Sequence, residues 1–176
     1  MLFRSLLQEV VPSLSQVAVL FDQRNADFQR EPYEAAARTL GLHVGFVSGG
    51  GRQDLELMFD TASRERADGL FLPSAGWITA NRARIAELAL QSRLPSMWVQ
   101  TEAVGRGGLM AYAPNRAAGY KRAAYYVDKI LQGAQPADLP IEQPREFDFV
   151  LNLKTAQALG LTIPPSVLLQ ATEVIQ

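Results

Sequence analysis

Four short apolar runs, each set apart by a stretch with helical spacing, restrict this chain more than any other feature. They are Gln16–Phe21 (QVAVLF), Leu42–Val47 (LHVGFV), Asp68–Leu72 (DGLFL) and Leu94–Val99 (LPSMWV). Each is too short for a buried helix and reads as a buried strand. Between them the spacing predicts helices from about Asp27 to Leu40, Gln53 to Arg66 and Thr79 to Ser92. Gly41 stands where a left-handed residue ends the first of these. Strands and helices that alternate with short links give an α/β fold with a parallel, doubly wound sheet. Right-handed crossovers then put helices on both faces, a Rossmann-like three-layer sandwich. With 176 residues, 48% of them hydrophobic, the chain suffices for one domain with a full core.

The flanks fit that core. Leu2 to Val11 has helical spacing and is stopped by Pro12. Gly108 to Ala111 reads as a short fifth strand, Phe147 to Leu151 as a late strand, and Lys154 to Leu159 as a short helix. Asn115 to Leu131 is a strong helix, with Asn115 as its cap and Gly133 as its stop. Ala117, Tyr120, Ala124, Val127 and Leu131 form one apolar stripe on it, and Ala123, Tyr126 and Ile130 a second. An arc that wide predicts two packing partners.

Several function classes are disfavoured. The net charge is −1, so no basic surplus is available to neutralise phosphates, and no nucleic-acid partner is expected. There are no cysteines and one histidine, His43, placed inside the second strand without an acidic cluster beside it. A catalytic triad, a catalytic residue of another kind, a metal centre and a bound cofactor are therefore not expected. Gly49-Gly50-Gly51 lacks the Lys-Ser/Thr of a phosphate loop, since Arg52 and Gln53 follow, and reads as a flexible connection. No apolar run is long enough to span a bilayer, so no membrane insertion is expected. Arg4, Gln8 and Glu9 interrupt the apolar N-terminus, which therefore does not read as a secretion signal.

A doubly wound sheet binds ligands outside the carboxyl ends of its strands. That rule selects four loops: Asp22 to Asn25, Ser48 to Arg52, Pro73 to Trp77 and Gln100 to Val104. In the first, Asp22, Arg24 and Asn25 form either a solvated turn or a polar site in which Arg24 grips a carboxylate. In the third, Ser74, Ala75 and Gly76 precede a helix start that suits an anion, and Trp77 either stacks on a flat ligand or packs under the loop. Glu102 is either a solvated acid or an acceptor for an amine. Tyr112 and Asn115 flank the GGLMAYAPN segment, read as a turn, and Asn115 is a ligand contact or only a helix cap. Trp98 reads as core.

Specific segments add to this. VPSLSQVAVLFDQRN, RERADGLFLPSAG, RLPSMWV, GGLMAYAPN and LNLKTAQALGLTIPP occur in this order. Together they resemble the substrate-binding proteins of bacterial ABC importers, in particular members that bind tryptophan or related amino acids. The resemblance runs from about Leu6 to Gln176. It implies a lobe of a two-lobed, type I periplasmic binding protein, with residues 1–176 as the C-terminal lobe and 107–133 as the segment that crosses to a first lobe. It implies a small-molecule ligand, an ABC permease as partner for the full-length protein, and a periplasmic or extracytoplasmic location. A ligand-sensing module without transport is the alternative, and an enzyme on the same fold a more distant one. In tryptophan-binding relatives the loop after the third strand often reads Pro-Thr-Asp-Asn. Here Pro73-Ser74-Ala75-Gly76 keeps the hydroxyl and lacks the acid expected to meet the ligand amine at position 75. The apolar helix 115–131 would then cover a first lobe or, in its absence, join two copies in a homodimer.

Overall fold

The computed structural model describes residues 2–176, with side chains from residue 6 onward. Its elements are α1 (Leu2–Val10), β1 (Gln16–Asp22), α2 (Glu31–Leu40), β2 (His43–Gly49), α3 (Leu55–Arg64), β3 (Gly69–Leu72), α4 (Gly76–Gln91), β4 (Ser96–Trp98), β5 (Met110–Pro114), α5 (Arg116–Leu131), β6 (Phe147–Asn152), α6 (Leu153–Ala158), α7 (Pro165–Leu168) and β7 (Glu173–Ile175). The strands form one sheet in the order β2-β1-β3-β4-β5-β6-β7. Neighbours from β2 to β5 are parallel. β6 runs antiparallel to β5, and β7 parallel to β6. The α/β, mostly parallel expectation holds, with one reversed step.

Side-chain alternation along the strands explains the two covered faces. Ala18, Leu20, Leu70, Leu72 and Trp98 join one core, packed under α3 and α4 with Leu55, Met58, Ile78 and Ile85. Val19, Phe71, Met97, Met110, Phe149 and Leu151 point the other way, toward α1, α2, α6 and α7 through Leu6, Leu7, Ala37, Ala156 and Val167. Burying each of the larger side chains contributes roughly 1.5–3 kcal/mol against exposure. At the far end of β1, the Asp68 carboxylate accepts from the Ser15 and Gln16 backbone N–H groups at 3.0 and 2.7 Å. That clamp ties the start of β1 to the start of β3 and helps hold the register that puts Val17 opposite Gly69.

Four boundaries depart from the sequence reading. α2 starts at Glu31, not Asp27, because Phe28 leaves the helical path and stacks on Phe21 at 4.4 Å, while Pro32 sits in the helix's first turn. α4 starts at Gly76, not Thr79, since Ala75 already has extended cap geometry. β2 runs on to Gly49 and so absorbs the first of the three glycines. The fifth strand, expected over Gly108–Ala111, is β5 over Met110–Pro114 and takes in most of the GGLMAYAPN segment also read as a turn, because its backbone pairs with β4 on one side and β6 on the other. The short edge strand β7 and helix α7 had no sequence reading. Gly41 and Gly133 end α2 and α5 with φ of 66° and 100°, angles that glycine adopts without a Cβ penalty.

α5 stands apart from both cores. None of its residues is buried. Tyr120, Tyr125, Val127, Ile130 and Leu131 are exposed, Leu131 to 82%. Its N-terminus is fixed by Asn115, whose Oδ1 accepts from the Ala118 N–H at 2.7 Å and whose Nδ2 donates to Asp148 at 2.9 Å. The returning strap 139–146 holds its side, with Arg122 paired to Glu142 and the Tyr126 hydroxyl donating to the Pro140 carbonyl at 2.8 Å.

Candidate functional site

The connections after β1 and β3 leave the sheet toward opposite faces, β1 into α2 and β3 into α4. β1 and β3 are neighbours, so a crevice opens between the two connections, where such sheets place ligands. The structure has an open groove there. Its floor and walls include Asp22, Asn25, Asp27, Phe28, Tyr33 and Ser74, with Phe21, Phe71, Pro73, Ala75 and Val99 beside them.

One wall is aromatic. Phe28 stacks on Phe21 at 4.4 Å and on Tyr33 at 5.4 Å, and Tyr33 meets Phe71 edge to face at 5.7 Å. The Arg30 guanidinium lies over the Phe21 and Phe46 rings at 5.5 and 5.0 Å. Such a ladder presents a flat, polarisable surface to a ring or an apolar chain. A second wall is polar. The Asp22 carboxylate is gripped on both oxygens by Arg24, at 3.0 Å each, and it also accepts from the Arg24 backbone N–H at 2.9 Å. The guanidinium holds this carboxyl below its ordinary range, so Asp22 is anionic at neutral pH. Asn25 Oδ1 accepts from the Asp27 N–H at 3.1 Å, which fixes the turn carrying both. The third contribution is Ser74, exposed on the loop after β3, with the first turn of α4 behind it.

Four of the sequence candidates therefore converge on the groove: Asp22, Asn25, Ser74 and Ala75. The others sit elsewhere. Arg24 faces Asp22, with its fork already used. Trp77 packs into the core, 8% exposed, and its indole Nε1 has no hydrogen-bond partner among the described residues. Gly76 opens α4 with free space around it. Glu102 pairs with Arg116 at 2.8 Å. Tyr112 stacks on Phe147 at 5.2 Å, and Asn115 caps α5. His43 is exposed at the opposite edge of the sheet, and Trp98 is core at 1% exposure. Sequence reading missed Phe28 and Tyr33, which line the groove. The recurrence of aromatics at Phe21, Phe28, Tyr33 and Phe46, from β1 through its connection and α2 to β2, was the available signal.

Among the described residues, no cluster of His, Cys, Asp and Glu could hold a metal ion, and no helix is long and apolar enough to cross a membrane.

Comparison with known proteins adds an independent line. The profile described as ABC transporter substrate binding protein matches residues 4–175. No curated protein matches the chain. Among solved structures, a conserved domain protein from Vibrio cholerae O1 biovar eltor superposes with a TM-score of 0.86 at 23% identity, covering 97% of this chain and 58% of its own. An ABC domain from Streptococcus pneumoniae, solved in complex with L-Trp, gives 0.83 at 26% identity, covering 97% and 60%. A ligand-free, open substrate binding protein with adhesive properties from Clostridium difficile gives 0.78 at 19% identity, covering 99% and 58%. The first and third comparisons speak to fold alone. This chain spans 58–60% of the length of these three proteins.

Proposed function

Given that the chain belongs to the ABC transporter substrate binding protein family, we propose that it captures a small amino acid with an aromatic side chain in the groove after β1 and β3, for delivery to an ABC permease. The observation that carries this reading is the pairing of an aromatic ladder with hydrogen-bonding groups on one sheet edge. The ladder would take the ligand ring, the Asp22–Asn25–Asp27 turn would face its amine, and Ser74 its carboxylate. The L-Trp complex of the Streptococcus pneumoniae relative supports that ligand class. Ala75 stands where tryptophan-binding relatives offer an acid, so the acceptors for the amine come from the β1 loop instead. The protein's work is binding and release without turnover, and its location is extracytoplasmic.

A thermal-shift titration with L-tryptophan, L-phenylalanine and L-tyrosine, with L-alanine as control, tests this. A ligand held by the native state raises the melting temperature by mass action, about 2.7 kcal/mol of stability at one hundred times Kd. The expected result is a saturable rise for an aromatic amino acid and none for L-alanine, with the rise lost in Phe28→Ala. A flat response to all three aromatic amino acids at millimolar concentration would sink the proposal.

The exposed face of α5 is assigned to contact with a further lobe, residues 107–133 being the segment that reaches it. Where no such lobe is present, two copies of this chain join through α5. The 176-residue chain is accordingly expected to be dimeric at micromolar concentration. Val127→Lys with Leu131→Lys, both exposed on the apolar stripe of α5, is expected to return it to monomer. Light scattering coupled to size exclusion reads both states, and a monodisperse monomer of the unaltered chain would contradict self-association.

A further inference from the structure

We infer that Gln100 is a positioning residue that fixes the Ser74 hydroxyl as a proton donor, so that the groove selects ligands bringing an acceptor oxygen, a carboxylate or carbonyl, to that wall. The inference rests on the groove being the ligand site.

Counting protons gives the assignment. The Thr79 side chain has one hydroxyl proton, and it is committed to the Ala75 carbonyl at 2.9 Å, one turn back in α4. Thr79 Oγ1 can then only accept from Gln100, which it meets at 2.6 Å. With the Thr79 proton so directed, the Gln100 amide turns its Nε2 toward α4 and its Oε1 away. The second proton of the same Nε2 goes to Ser74 Oγ at 3.3 Å. Ser74 Oγ is thus an acceptor toward Gln100, and its own proton meets no acceptor among the described residues. Ser74 is exposed and lines the groove. A hydroxyl normally rotates to suit either a donor or an acceptor. This one is held in one sense by a chain that starts at the Ala75 carbonyl and ends in open space. The wall around Asp22 and Asp27 offers acceptors, so the groove has a donor side and an acceptor side, and Gln100 maintains the difference.

The measurement is the ratio of affinities for L-tryptophan and tryptamine, which differ only by the carboxylate, read by NMR titration of the full chain in 0.5 M salt. High salt screens through-space charge effects and leaves a direct hydrogen bond largely intact. In Gln100→Glu the new carboxylate accepts the Ser74 proton. The preference for L-tryptophan should then fall about tenfold, as for loss of a hydrogen bond to a charged group. Ser74→Ala should lower the ratio by a similar factor. The double variant should fall no further than either single one, because both remove the same bond. A ratio unchanged in Gln100→Glu overturns the inference, as does a double variant in which the two losses multiply. Loss of affinity for both probes alike would mark Gln100 as merely structural and also overturns it. Failure of the unaltered chain to bind either probe is a different result: it removes the proposed ligand class, and this inference with it.

Discussion

Trp98→Ala is expected to destabilise the protein by about 3–5 kcal/mol, the range for truncating a buried large aromatic side chain. Trp98 is 1% exposed and lies in the central strand β4, between β3 and β5. Its indole Nε1 donates to Ser96 Oγ at 2.9 Å, and the same Oγ accepts from the Leu109 N–H at 3.2 Å. Gly108 lies flat against the ring: a Cβ there would stand 2.7 Å from Nε1. Removing the ring therefore opens a cavity, strips Ser96 of one partner and leaves the Gly108 turn unsupported. Melting should fall by on the order of 10 °C for a chain of this size. Trp98→Phe restores much of the volume and loses the hydrogen bond, so it should recover more than half of the loss. Urea unfolding with m unchanged reads both variants. A loss under about 1 kcal/mol for Trp98→Ala, well below the usual range, would mean that the site collapses freely, contrary to the packing described.

Asn152→Ala ranks next. Asn152 is 7% exposed at the junction of β6 and α6. Its Oδ1 accepts from the Thr155 N–H at 3.0 Å, which caps α6, and its Nδ2 donates to the Val104 carbonyl at 3.0 Å. Val104 is fully buried in the 3-10 turn Thr101–Arg106 that follows β4. Loss of the cap costs about 1 kcal/mol. The Val104 carbonyl keeps the Gly107 N–H at 3.1 Å, so the lost second bond adds about 0.5–1.5 kcal/mol. The expected sum is about 1.5–2.5 kcal/mol, consistent with those two contributions. The effect should also be local. The turn is held from the same side by Thr155 Oγ1, which donates to the Gly107 carbonyl at 3.0 Å. Hydrogen exchange at the Gly107 and Gly108 amides, which close that turn, should accelerate more than exchange in β1 or β3. Equal acceleration everywhere would place the damage in global stability alone.

The strands were legible because buried parallel strands write themselves as short apolar runs, and QVAVLF, LHVGFV, DGLFL and LPSMWV all became strands within two residues of their expected ends. The errors have one physical pattern. Phe28 fits a helical spacing, yet tertiary packing on Phe21 and Tyr33 pulls it out of α2. The fifth strand was legible at Gly108–Ala111, but not its run to Pro114: the glycines before it and the proline at its end suggest a turn locally, whereas two flanking strands supply its hydrogen bonds. Glu173–Ile175 is an edge strand of three residues, and three residues show no period.

At the groove, the strand-end rule brought Asp22, Asn25, Ser74 and Ala75 together because topology alone sets those loops side by side. It could not sort out residues whose fate depends on a distant partner. Glu102 is taken by Arg116, and Asn115 by Asp148, 33 positions away. Trp77 presents the opposite case: one turn of helix earlier than expected was enough to swing it from the edge into the core. Gln100 opens a loop that the same rule selected, yet it drew no reading of its own for a further reason. Its role depends on the direction of a proton, which follows from three hydrogen bonds at once and from no local motif.

Pro114 and Phe147 are register partners in the antiparallel pair, and the Asn115 N–H donates to the Glu146 carbonyl at 2.9 Å just beyond them. The whole segment from Asn115 to Glu146 thus leaves and re-enters the sheet at a single point, like a loop of thread pulled from a hem. It is topologically an insertion in a hairpin. A two-residue Asn-Gly turn has the twist to close that gap. A chain so shortened is expected to keep all seven strands and both cores, to which α5 contributes no buried residue, and to lose only the exposed face assigned above to a further lobe or a second copy.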